Sequence, residues 1–200
     1  MNNDEPRACS TIAYLLGTSV LRICGWKLAG GPPKANNMVI IAAPHTSNWD
    51  FILLISAAYS FRISINWLGK NTLFWRPLGY LLRFLGGIAV DRSTSNNMVQ
   101  VLAAEIEHGE GINLVVPPAG TRSKTEYWKS GFYRIAEAAQ IPIVCGYLDY
   151  EKKEAGLGPS FLPTDVNVDM NRLREFYGPI TAKFPENKSR ILLREESEVS

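Results

Sequence analysis

Two hundred residues with 46% apolar and 20% charged side chains give one globular chain enough material for a substantial core, and exclude a disordered polypeptide. A formal net charge of +2 is too mild for a nucleic-acid binder, and no zinc-finger or basic-helix pattern occurs. Three scattered cysteines, Cys9, Cys24 and Cys145, point to neither a disulfide framework nor a metal knuckle, so a reducing cytoplasm is the expected compartment.

The chain begins Met1-Asn2-Asn3-Asp4-Glu5, without the basic start of a signal peptide. The apolar segment 12–21 is broken by Arg22 and followed by Gly25-Trp26-Lys27. It is too short and too interrupted to span a bilayer. Two readings remain open: an interfacial helix with Trp26 and Lys27 at headgroup level, or an amphipathic helix docked on the core. Gly30-Gly31-Pro32-Pro33 is a turn cluster. It divides an amino-terminal portion, 1–33, from a catalytic domain expected over 34–194, with an acidic tail at 195–200.

The domain opens with an apolar β-branched run, Met38-Val39-Ile40-Ile41, read as a strand over 38–43. A helix nearly apolar all round should occupy 47–61, buried or facing lipid. Residues 63–68 alternate as a short strand would, and Lys70 follows. In 74–85 Pro77 suits the first helical position, and Leu78, Leu81, Leu82 and Leu85 recur at helical spacing. Arg76 and Arg83 lie a heptad apart among aromatics, giving a surface suited to anionic lipid or, equally, a core helix with two solvated arginines. Residues 86–90 read as a strand that delivers Asp91-Arg92. A helix over 96–108 should follow, stopped by Gly109, with His108 as its last-turn cation. Strands are expected at 112–116 and 141–147, with a helix at 132–139 that ends before Pro142. Beyond Gly156-Leu157-Gly158-Pro159 the periodic signal weakens. A helix at 165–177, short edge strands at 180–184 and 191–193, and a frayed acidic end at 195–198 complete the expectation. Strands alternating with helices make this an α/β chain: one domain with a mixed, mostly parallel sheet flanked by helices.

The stretch that carries chemistry is Ala43-Pro44-His45-Thr46-Ser47-Asn48-Trp49-Asp50, between the first strand and the helix after it. Open α/β sheets usually place ligands at the carboxyl ends of their strands. An alcohol is a poor nucleophile at neutral pH, and an imidazole titrating near about 6.5 can take its proton as a bond forms. Asp50 is placed to hold the other ring nitrogen of His45. It also fits a capping box with Ser47 at the N-cap, and spacing alone leaves both roles open. A second candidate is the loop Pro117-Pro118-Ala119-Gly120-Thr121-Arg122-Ser123-Lys124, whose glycine, hydroxyls and cations could cradle a phosphate. It lacks the Walker spacing.

Four stretches, in order, resemble the PlsC-like glycerolipid acyltransferases. His45-Thr46-Ser47-Asn48-Trp49-Asp50 is similar to that family's His-x-x-x-x-Asp motif, and Gly87-Ile88-Ala89-Val90-Asp91-Arg92 to its second block. Pro118-Ala119-Gly120-Thr121-Arg122-Ser123 resembles its Pro-Glu-Gly-Thr-Arg-Ser block, and Ile141-Pro142-Ile143-Val144 its fourth, an apolar strand near the acyl site. Together they span about half the chain. The resemblance implies transfer of a fatty acyl group from acyl-CoA or acyl carrier protein to a lysophospholipid hydroxyl, most nearly that of a lysophosphatidate. His45 would be the general base and Asp50 its orienter. Arg92, Arg122 and Lys70 would grip the acceptor's phosphate, and Ala119, Gly120, Thr121 and Ser123 would form the acceptor-binding loop. No cofactor or metal is implied, since the acyl thioester is a co-substrate. The implied setting is the cytoplasmic face of a membrane, with the protein peripheral to it.

One departure bears on the acceptor. Ala119 stands where the family carries glutamate, and a methyl group can neither accept a hydrogen bond nor balance Arg122. A thioester needs no covalent acyl-enzyme, so direct attack suffices, with backbone amides after His45 as candidate oxyanion donors. Two other readings compete: a noncatalytic lipid-binding member of the same fold, and a thioesterase that activates water with the same dyad. A zinc hydrolase is weaker, because two histidines so far apart do not complete a usual site.

Overall fold

The computed structural model describes residues 8–90, 106 and 111–197. Seven strands form one sheet: β1 (Lys27–Gly30), β2 (Met38–Ala42), β3 (Asn66–Lys70), β4 (Gly87–Val90), β5 (Asn113–Val116), β6 (Ile143–Asp149) and β7 (Glu154–Phe161). Their order is β1-β7-β6-β2-β5-β3-β4. All neighbours run parallel except β6 and β7, which are antiparallel. The expected α/β class with a mostly parallel sheet is what forms.

Alternation along β2 divides the core. Val39 and Ile41 point to one face, where they meet Phe132 and Ile135 of α4 (Gly131–Ala138) and Leu173 of α5 (Val166–Tyr177). Met38 and Ile40 point to the other, beneath Ile55 of α2 (Trp49–Ser60). A central strand buried on both faces has to be a continuous apolar run, which is how β2 reads. Helix α1 (Thr11–Ile23) lies on α2 and touches it closely at Gly17, where a Cβ would come within 2.6 Å of the Ser56 carbonyl oxygen. The short α3 (Leu78–Phe84) precedes β4, and the helix expected at 96–108 lies outside the described residues except Ile106, which is helical and buried.

Several expectations are corrected. Residues 27–30, where the sequence predicts no strand, form an edge strand paired with β7, in which Lys27 is exposed, and Trp26 packs edge-on against Tyr150 at 4.9 Å. The strand expected at 63–68 lies further along, at Asn66–Lys70; Ile63 and Ile65 are buried, and the Ile63 amide is taken by the Ala58 carbonyl. Where the periodic signal weakens, the chain forms β7. Gly158 and Pro159 both face Cys145, a bulge, and Pro159 lies past the end of β1, so its missing N–H interrupts no pairing there.

The edge strands expected at 180–184 and 191–193 do not form, apart from a single bridge from Leu193 to Trp128. Lys188 explains part of this, since its Nζ donates to the carbonyls of Tyr177, Gly178 and Ile180 at 2.7 to 2.9 Å. Nor is the acidic end frayed over its described part. Residues Arg194–Ser197 form a helical turn, α6, in which Glu196 accepts from Arg174 at 3.0 Å and from the Leu193 amide at 2.8 Å. Leu193 is fully buried. Replacing it with alanine is expected to cost about 2–5 kcal/mol in urea unfolding. A loss below about 0.5 kcal/mol would mean that the end of the chain is not docked.

Candidate active site

Because β2, β3, β4, β5 and β6 are mutually parallel, their carboxyl ends share one edge of the sheet. Along that edge lie His45 after β2, the 117–124 loop after β5, Lys70 at the end of β3 and Tyr150 after β6. This is where an open α/β sheet offers its crevice.

At the centre, His45 Nδ1 lies 3.2 Å from Asp50 Oδ2; the imidazole is 22% exposed and the carboxylate 4%. The same Oδ2 accepts the amides of Thr46 at 2.8 Å and Ser47 at 2.9 Å, while Oδ1 accepts the Tyr150 hydroxyl at 2.6 Å. Four donors thus surround the carboxylate, three on Oδ2 and one on Oδ1. Burial alone would raise this carboxyl, but the hydrogen bonds from His45, Tyr150, Ser47 and Thr46 outweigh it and hold the group below its ordinary value of 3.8. Asp50 is therefore held in its anionic form. With Nδ1 turned to Asp50, the ring's Nε2 is left for the cleft.

The two readings of Asp50 turn out to be compatible. It sits in the first turn of α2, where a negative charge suits the helix end, and it accepts the Ser47 amide, one half of a capping box; the other half is missing, because Ser47 Oγ takes the Trp49 amide. The cap itself falls one residue later than expected, on Asn48. Asn48 uses its side chain elsewhere: its Oδ1 accepts a hydrogen bond from the Arg122 guanidinium. Of the amides after His45 that are candidate oxyanion donors, those of Thr46 and Ser47 are taken by Asp50 and that of Trp49 by Ser47 Oγ at 3.1 Å.

His45 opens on a cleft whose other walls include Pro118, Ala119, Tyr177 and Lys188. Ala119 thus faces the same space as the imidazole. Gly120 turns the loop with φ +66°, a conformation that costs glycine little, and the Lys129 side chain lies 3.0 to 3.2 Å from where a Cβ would stand. Thr121 Oγ1 accepts the Ser123 amide at 3.3 Å, and both residues are exposed with Arg122.

A family model described as Acyltransferase matches residues 31–148, more than half of the chain. The chain belongs to the Acyltransferase family. No curated protein matches the sequence. Among solved structures, the 1-acyl-sn-glycerophosphate (LPA) acyltransferase PlsC from Thermotoga maritima is similar, with a TM-score of 0.57 and 16% identity over 84% of this chain and 74% of that one. That likeness is one of fold, and it agrees with the PlsC-like architecture expected from the motifs.

In this acyltransferase, the structure brings His45, Asp50, Ala119 and Arg122 together on adjacent loops. Lys70 stands further along the edge, at the end of β3, which is separated from β2 by β5, roughly 10 Å at ordinary strand spacing. It pairs with Val90, the last described residue before Arg92. Arg92 itself, with Asp91 and His108, lies outside the described residues. The residues that sequence reading missed are Tyr150, Tyr177 and Lys188. A signal existed for the first, since every polar residue just past a parallel strand faces the crevice, but β6 runs two residues beyond its expected end.

A carboxyl depressed by folding stabilises the native state above its unfolded value, and that contribution is lost as pH falls through the folded one. The difference in urea stability between the parent chain and Asp50→Asn is therefore expected to be widest above the unfolded value of 3.8 and to shrink below it. A difference independent of pH would contradict the hydrogen-bonded carboxylate.

Proposed function

We propose that this acyltransferase moves a fatty acyl group from acyl-CoA or acyl carrier protein to the hydroxyl of a lysophospholipid, most nearly a lysophosphatidate. The observation that supports this reading is the His45–Asp50 pair opening on a cleft shared with the 117–124 loop. His45 Nε2 takes the proton from the acceptor hydroxyl as that oxygen attacks the thioester carbonyl. The tetrahedral intermediate collapses, the C–S bond breaks, and the leaving thiolate recovers the proton from the imidazolium. Asp50 keeps the ring in the tautomer this needs and stabilises its charged form.

Arg122, with Arg92 and Lys70, holds the acceptor's phosphate and so turns binding into orientation. The donor's acyl chain needs apolar surroundings. On this reading the acyl chain lies towards the apolar pocket between α2 and the sheet, lined by Leu54, Phe61, Ile63 and Leu157. In labelled acyl-CoA assays across a panel of lysolipids, His45→Ala is expected to lose about 10²- to 10⁴-fold in turnover. A variant keeping more than about a tenth of parental turnover would rule out general-base catalysis.

A second reading is favoured by one observation, the Ala119 methyl in the cleft beside His45. On it the chain binds lipid and acyl donor without transfer. The same panel, run also with Ala119→Glu, separates the possibilities: label in acylated lipid means transfer, label in free fatty acid without dependence on acceptor means a thioesterase, and binding without product means a scaffold.

The protein works at the cytoplasmic face of a membrane, as a peripheral protein. Among the described residues no helix is long and apolar enough to cross a bilayer. Two exposed apolar faces support surface attachment. On α1, Ile12, Leu15, Leu16 and Ile23 recur at helical spacing, with Ile23 85% exposed. Around α3, Trp75, Leu81 and Phe84 are exposed, Phe84 to 82%, beside Arg76 and Arg83. The chain is expected to sediment with anionic vesicles at low salt, and Leu16→Glu with Phe84→Glu to leave most of it in the supernatant. A parent chain that stays in the supernatant would remove this part of the proposal.

A further inference from the structure

Tyr150 lies two residues past the end of the family match, yet it contacts the dyad directly. Its hydroxyl donates to Asp50 Oδ1 at 2.6 Å, on the side of the carboxylate that the catalytic loop's own donors leave open. Its backbone and its ring are both held. The Tyr150 amide donates to the Thr181 carbonyl at 2.9 Å. The turn that follows is built on the buried Asp149, whose Oδ1 accepts the amides of Glu151 and Lys152 at 3.1 and 3.3 Å. The ring is backed edge-on by Trp26, and Lys183 Nζ stands 5.5 Å from its centre. Burial, the hydrogen bond to Asp50 and that carboxylate's charge all push the phenol's pKa up, so it remains a donor at any working pH.

We propose that Tyr150 is a positioning residue for acyl transfer, acting through Asp50 by fixing the carboxylate plane that orients His45. The inference rests on the dyad being the catalytic base. Three hydrogen bonds converge on Oδ2, all from His45 and its own loop, and none of them holds Oδ1. A fourth bond, to Oδ1 from a different strand end, anchors the second oxygen and so tightens the carboxylate plane. Because a small misplacement of a catalytic group is costly in rate but not in substrate binding, the signature is kinetic.

The test compares Tyr150→Phe with His45→Ala, in the full chain, using acyl-CoA and the preferred lysolipid of the panel. Tyr150→Phe keeps the ring against Trp26 and removes only the hydroxyl. It is expected to lose about 10- to 100-fold in kcat, with KM for both substrates within about twofold and the melting temperature nearly unchanged. In an Asp50→Asn background the same substitution should cost less than about twofold, because the hydroxyl acts through that carboxylate. If Tyr150→Phe turns over within about twofold of the parent while His45→Ala is inactive, the positioning role is overturned and the dyad stands. A loss of the same size in the Asp50→Asn background also overturns it. If His45→Ala itself remains active, the dyad reading is what has failed.

Discussion

The arrangement turns on one buried negative charge. A carboxylate taken out of water is stable only when it is hydrogen-bonded, and Asp50 is bonded by a histidine, two loop amides and a tyrosine. These partners come from the end of β2, the start of α2 and the end of β6, so satisfying the charge draws the three elements to one point. The imidazole is oriented as a by-product of that satisfaction. A helix-capping carboxylate and a histidine-orienting carboxylate are thus the same group, each use supplying partners that make the other tenable.

The sheet supplies the rest of the geometry. Five parallel strands deliver their following loops to one edge, so residues distant in sequence meet without any further device. Arg122 reaches Asn48 across the β2–β5 pair in this way. The far wall of the cleft comes from the carboxyl-terminal quarter, beyond every motif. Tyr177 is anchored there by its hydroxyl on the Gly146 carbonyl at 3.0 Å, and Lys188 by three carbonyls. Burial draws the Lys188 ammonium's pKa down, although the charge of Asp149 works against it. With its donors committed to carbonyls, Lys188 serves as a structural brace for that wall.

Apolar surface is distributed unevenly between core and exterior. The faces of β2 are fully buried, while α1 and the α3 region present leucine, isoleucine and aromatic side chains to the outside. Leu78 and Leu81 show why spacing did not decide this, for their helical period is real but they lie on the exposed side, and α3 buries Gly79 in their place. Helical period identifies a stripe without saying what covers it. Ala119 poses a related question within the cleft, where a methyl group meets the space that an acceptor would enter.

Local sequence determined those features whose physical cause is local. The β-branched runs of β2, β5 and β6, the amphipathic helices α1, α4 and α5, and the histidine and aspartate that share a strand-to-helix loop were legible because side-chain periodicity and short-range spacing express them directly. Only tertiary structure decided that Tyr150 completes Asp50 from 100 residues away, that Arg122 lies on Asn48 from 74, and that a weakly patterned stretch with Pro159 becomes β7. Each of these depends on a partner that chain proximity does not supply. A hydrogen bond to a distant carboxylate or an edge left open past β1 leaves no periodic trace in the residues that use it, because what selects them is the packing of the whole sheet.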